Sequence, residues 1–244
     1  MTVEFPRALL REQSHSWNLA GSAISGGTTV ASVSTLVRSD GGGFWTCTMS
    51  NVSLSGRNGI PDRNKDRQRK STLLWRAVQQ ICDGGVNPIV VPRNDALFVP
   101  WPDGVARNAG DNIPHGDDAL FSDDGGYYQS TIDVIVSADA ALRATSLSIE
   151  INNAGELVGG EAFSINHENA GWRMYVIRTI SDDGGTITVN PPLREAVTAG
   201  TALEFDRPRC TMRLVQPSSM NLTVQPWTFN TANADFIEAP WVVS

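Results

Sequence analysis

The chain has 244 residues, 41% hydrophobic and 18% charged, with 22 Gly and 13 Pro; this excludes wholesale disorder and a collagen-like repeat, and leaves room for one or two domains with a real core. Nineteen basic against 26 acidic side chains give a net charge of −7, which argues against a protein that coats duplex DNA or anionic lipid. The amino terminus carries no continuous apolar run of the signal-peptide kind, and no stretch approaches the ~18 apolar residues of a membrane span, so a cytoplasmic product is expected.

In chain order, the first informative stretch is Gly41-Gly42-Gly43. Phe44, Trp45 and a strand follow it rather than a helix, so it lacks the ring of helix amino-terminal amides that cradles a phosphate. The strand predicted over 46–54 carries Trp45, Cys47 and Met49 on one face and then Val52 and Leu54. That change of phase predicts a β-bulge near Ser50 and Asn51.

Next comes a basic segment, Arg57, Arg63, Lys65, Arg67, Arg69 and Lys70, interrupted by Asp62 and Asp66. Its plain reading is a solvated loop and a first helical turn; its sharper reading is a charged contact with a neighbouring subunit, which makes these six residues the candidate interface. No aromatic residue lies among them, so the base-stacking platform of single-strand binders is missing. Basic groups at a helix start also oppose the macrodipole. Lys70-Ser71 ends like a P-loop, but Arg69 stands where that motif needs glycine. Leu73, Leu74, Ala77, Val78 and Ile81 then recur at helical spacing and predict one helix of about four turns, stopped by Gly84-Gly85. Leu74, Val78 and Ile81 are its expected buried face.

Strands are predicted over 88–91 and 96–99. Trp75 and Trp101 are expected to be at least half buried, an aromatic sugar platform at Trp101 being the alternative. Asp111, His115, Asp117 and Asp118 supply oxygen and imidazole ligands in spacings that match neither an EF-hand nor a zinc loop, so a solvated turn is expected and no metal or cofactor. His15, His115 and His167 each stand apart, and there is no Gly-x-Ser-x-Gly elbow; no catalytic residue is expected.

A strand over 131–137 leads into a denser region, where runs over 147–151, 174–180, 186–190 and 202–205 crowd together with Gly155, Gly159-Gly160, Gly184-Gly185 and Gly200 at the corners. A small closed barrel needs such corners. The last run, 211–215, returns after this region. Turns recur at Asp40, Asp83, Asp124 and Asp183, each followed by Gly-Gly; Asp accepts from nearby amides and Gly takes positive φ. Cys47, Cys82 and Cys210 are odd in number and far apart, and read as buried thiols rather than a disulfide framework or metal motif. The expected fold is mostly β: a β-sandwich over 1–145 and 209–244 with one α-helix, and an inserted small β-barrel over 146–208.

Three strings carry a family resemblance: Ser122-Asp-Asp-Gly-Gly-Tyr-Tyr-Gln129 leading to Ala140-Ala-Leu-Arg-Ala144; Ile187-Thr-Val-Asn-Pro-Pro-Leu-Arg-Glu-Ala-Val197; and Gly200-Thr-Ala-Leu-Glu-Phe-Asp-Arg-Pro-Arg-Cys-Thr-Met-Arg-Leu214 with Phe236-Ile-Glu-Ala239. Through its carboxy-terminal half the chain resembles the distal tail proteins of long, non-contractile-tailed bacteriophages and related gene-transfer particles. The resemblance implies a β-sandwich that closes into a hexameric ring at the end of the tail tube, with an appended barrel facing outward. It implies no catalytic residue and no cofactor. The implied partners are other copies of the chain, the tail tube protein and the baseplate hub protein, with no membrane and no specific nucleic acid, although the lumen passes DNA. The implied location is the virion tail tip, assembled in the host cytoplasm. Alternatives are a neighbouring hub or minor tail protein, or a carbohydrate-binding adhesin using Trp101.

Overall fold

Period-two alternation of apolar and polar residues produces most of the regular structure, and one run with helical period interrupts it. In the computed structural model, residues 3–28, 32, 34–39, 41–54, 65–94, 97–102, 110–113, 127–129, 132–224 and 230–240 are described. The elements are β1 (Ser14–Ala20), β2 (Ala23–Thr28), β3 (Ser34–Arg38), β4 (Phe44–Ser53), α1 (Lys65–Ile81) and β5 (Ile89–Pro92). They continue with β6 (Gly110–Ile113), β7 (Tyr127–Gln129), β8 (Asp133–Val136), β9 (Ser146–Asn153), β10 (Ala162–His167), β11 (Gly171–Ile180) and β12 (Thr186–Asn190), and end with β13 (Arg209–Leu214) and β14 (Thr231–Glu238). The fold is mostly β, with a single α-helix among the described residues. Two compact units divide the chain: Met1–Pro92 with Cys210–Ser244, and Arg93–Arg209.

In the first unit the sheet order is β1-β4-β14-β13-β5. Along β4, Trp45, Cys47 and Met49 are buried at alternate positions, and Val52 is buried beyond a break in phase. Met49 faces Ala234 and Val52 faces Ala232, so Ser50 and Asn51 together stand against Asn233; this is the expected bulge, with Asn51 at φ 52°. The Asn51 N–H donates to Asn233 Oδ1 at 2.9 Å, satisfying the amide that the bulge takes out of the ladder. The glycine run before β4 has a steric reason: a Cβ on Gly43 would lie 2.4 Å from the Ala20 carbonyl oxygen, where β4 turns in beside β1.

Helix α1 packs within this unit through Trp75. Its ring meets Phe5 edge-on at 6.5 Å, Phe5 meets Phe236 at 5.9 Å, and the Trp75 indole N–H donates to the Met220 carbonyl at 3.2 Å. The buried stripe is Ser71, Trp75, Val78 and Cys82, at spacings of four, three and four. The expected face of Leu74, Val78 and Ile81 is thus corrected by rotation about the axis: Val78 stays, Leu74 is half-buried and Ile81 is exposed. Apolar surface explains the phase, because one Trp buries more area than a Leu or Ile and its N–H needs an acceptor within the fold.

In the second unit, β10-β11-β12-β9-β8 form an antiparallel sheet that curls into a half-barrel, and residues 201–205 run between its two edges. Ala202 bridges Ile135 of β8 and Glu204 bridges Ser164 of β10. Leu203 N–H donates to the Val134 carbonyl, while Ser164 and Glu204 exchange both backbone bonds, each at 2.9 Å. Phe163, Tyr175 and Phe205 stack at the core, the Phe163 ring lying 5.7 and 5.2 Å from the other two. The β11–β12 turn works as Asp-Gly-Gly predicts: Asp183 Oδ1 accepts from the Ser181 hydroxyl and then from Gly185 N–H, which together hold the carboxyl below its usual range, and Gly184 takes φ 70°.

Two boundaries differ from expectation. The second unit starts at Arg93, and β8 pairs with β9, so residues 133–136 join the second sheet and not the first. The strand expected over 96–99 is a turn at residues 97–99, with Leu97 and Phe98 exposed.

Candidate assembly surface

The basic segment divides into what is described and what is not. Arg57 and Arg63 lie outside the described residues; Lys65 and Arg67 fall in the first turn of α1; Arg69 and Lys70 are exposed on its second turn. On a 3.6-residue helix Lys70 heads a stripe that continues through Leu73, Ala77 and Ile81, on the side turned away from Trp75. Leu73 is 48% and Ile81 39% exposed. Arg69 and Arg76 flank that stripe, both exposed. The stripe thus has an apolar centre with exposed basic side chains beside it.

A larger apolar exposure lies on a hairpin that the sequence reading did not single out. In β2 and β3 every described side chain is exposed, including Ile24 at 60%, Leu36 at 75% and Val37 at 51%. Ile24 sits directly opposite Val37, so the two share one face. A two-stranded hairpin is marginal in water without a surface to lie on. The signal that could have found it is the facing of Ala-Ile-Ser and Leu-Val-Arg, with Gly26-Gly27 inside the first strand. Close by in sequence, β1 is the last strand of its sheet, whereas β5 at the opposite edge is covered: Phe5 N–H donates to the Val90 carbonyl at 2.8 Å and Val90 N–H to the Val3 carbonyl at 2.9 Å. An edge with no strand beyond it among the described residues is a template for pairing with another chain.

The other singled-out residues have local roles. His15 Nδ1 lies 3.0 Å from Glu12 Oε1, and that nearly buried carboxylate also accepts from the Arg7 guanidinium, tying residues 7–12 to the start of β1. His167 is buried against Tyr175. Asp111 lies on β6, while His115, Asp117 and Asp118 lie outside the described residues. Among the described residues no group of three or more His, Cys, Asp or Glu side chains gathers to hold a metal. Trp75 is fully buried and Trp101 packs against the core of the second unit. Cys47, Cys82 and Cys210 are all buried and none is in a disulfide. No helix among the described residues is long and apolar enough to cross a membrane.

No known family model matches the chain. No curated protein matches it either.

Proposed function

We propose that this chain is a structural, non-enzymatic tail-tip protein of the distal tail type, which closes into a homo-hexameric ring joining a tail tube to a baseplate hub. The observation that carries the reading is the fully exposed β2–β3 hairpin with Ile24, Leu36 and Val37, apolar surface that a lone chain leaves in water. The exposed Leu73-Ala77-Ile81 stripe of α1 supports it, as does the outer edge of β1. A heterologous contact of hairpin or edge on one copy with the helix face of the next repeats around a ring until it closes, and closure removes the exposed edges. The specific choice of a tail tip rests on the resemblance of the three strings; the surfaces themselves support self-association.

Light scattering and negative-stain microscopy of the purified protein test the reading. Hexamers, or multiples of six, with a central opening are expected. The triple substitution Ile24→Ser, Leu36→Ser, Val37→Ser should release monomers that still melt cooperatively, at a temperature lowered only by the lost subunit contacts. A protein that stays monomeric at micromolar concentration overturns the ring, and a stable trimer turns the reading to a hub or adhesin.

A further inference from the structure

A groove of about 490 Å3 opens in the second unit where residues 201–205 cross from β8 to β10. Buried Val134, Leu203 and Phe205 give it an apolar base. Asp133, Asn166, Thr201 and Glu204 supply polar atoms around it, and half-buried Trp172 lines it with an aromatic ring. That ring is held before any ligand arrives: the Arg209 guanidinium stacks 4.2 Å from its centroid and donates to Glu204 Oε2 at 3.5 Å and to the Arg207 carbonyl at 3.3 Å.

The chemistry of the groove narrows its ligand. Its volume lies within the ~300–1,000 Å3 of small-molecule sites. Glu204 is paired with Arg209, which offsets its charge, and Asp133 Oδ2 accepts from Asn152 Nδ2 at 3.0 Å, which fixes that carboxylate as an oriented acceptor. Arg209 is engaged with Trp172 and Glu204, which argues against a phosphate or nucleotide site. An extended peptide would need a sheet edge, but residues 201–205 already bridge β8 and β10. Among the described residues the Trp172 indole N–H and the Asn166 amide make no hydrogen bond within the protein. Aromatic face, carboxylate acceptors and amide donors around an apolar base are what a sugar ring requires: C–H groups for the ring, hydroxyls that both donate and accept for the rest.

We infer that this groove is a binding site for a neutral saccharide, with one sugar ring against Trp172 and its hydroxyls bonded to Asp133, Asn166 and Glu204. The site belongs wholly to the second unit and does not depend on the ring assembly. The test is calorimetric titration of the full chain with cellobiose, chitobiose, lactose and mannobiose. Saturable binding of at least one, in the roughly millimolar range, is expected, weakened about tenfold or more by Trp172→Ala and by Asn166→Ala. Asn166 is exposed, so that variant stays informative if Trp172→Ala fails to fold. No saturable binding by any of the four, or binding that both variants leave unchanged, overturns the site, as does saturable binding of inorganic phosphate in their place.

Discussion

At His167, burial decides the protonation state. The Arg194 N–H donates to Tyr175 Oη at 3.0 Å, and the same hydroxyl lies 2.8 Å from His167 Nε2, a hydrogen bond that either tautomer of a neutral imidazole can make. Burial lowers its pKa from 6.5 to about 4, with the nearby Glu195 carboxylate opposing the shift and the Arg173 guanidinium adding to it. Because the unfolded chain takes up this proton at a higher pH than the folded one, the contribution of neutral His167 is complete above pH 6.5. It is lost as pH falls from there through about 4, a change on the order of 3 kcal/mol. Denaturation followed across that window should show this loss, and His167→Gln, which keeps an acceptor but does not titrate, should flatten the difference. Equal pH slopes for the two proteins would place the titrating group elsewhere. Burial acts in the same way on a thiol: it pushes Cys82 up to about 11, and all three cysteines are buried. A thiol reagent at pH 8 should therefore leave the native protein unlabelled and modify three sites once denaturant is added. Rapid labelling of the native chain would contradict this burial.

The helix shows most clearly what pattern conveys and what it omits. Its existence, its period and its stop at Asp83-Gly84-Gly85 follow from spacing and turn chemistry, and Gly85 fits only without a side chain, since a Cβ there would lie 2.9 Å from the Leu214 carbonyl oxygen. Its phase does not follow, because Leu and Ile can occupy either a core or an interface, and only Trp75 meeting Phe5 and Met220 decides between them. Substitutions should separate the faces. Trp75→Ala should cost about 3–5 kcal/mol, while Leu73→Lys and Ile81→Lys should leave the melting temperature nearly unchanged and weaken assembly. Large destabilisation by Leu73→Lys would mean that the stripe is core after all. Among strands, β4, β11 and β12 were legible from β-branched and aromatic alternation. β14 was not, because two of its buried alternate positions are Ala232 and Ala234, whose strand preference is low and whose burial depends on β4 lying beside them. Residues 202–205, expected as a strand, make two isolated bridges instead, at Ala202 and Glu204, and join the two sheet edges through them.

At the scale of the molecule, alternating texture conveyed an insertion but not where it begins. The entry point is hidden because β8 alternates as well as any strand of the first sheet, and only its pairing with β9 assigns it to the second unit. The candidate surface was half legible: the positive charges of Arg69 and Lys70 stand out in an acidic chain, whereas the hairpin's Ile24, Leu36 and Val37 are scattered among Ser, Thr and Gly and gain meaning only when exposure is known. The topology then supports a specific excision. β5 and β13 are neighbours in one sheet, and the Arg93 N–H donates to the Pro208 carbonyl at 2.7 Å, so the chain leaves the first unit and re-enters it at adjacent points. A short Gly-Ser link from Pro92 to Cys210 can replace residues 93–209 with little loop-closure cost. The shortened chain retains the Phe5, Trp75 and Phe236 core, the hairpin, α1 and the edge of β1, so it should melt cooperatively and assemble to the same number of subunits as the intact protein. Expressed by itself, 93–209 carries the core of Phe163, Tyr175 and Phe205 and should fold as a monomer. Circular dichroism and light scattering on the two fragments decide the matter. A shortened chain that folds but no longer assembles would show that the second unit holds the subunit contacts, and the hairpin and helix stripe would then lose their assigned role.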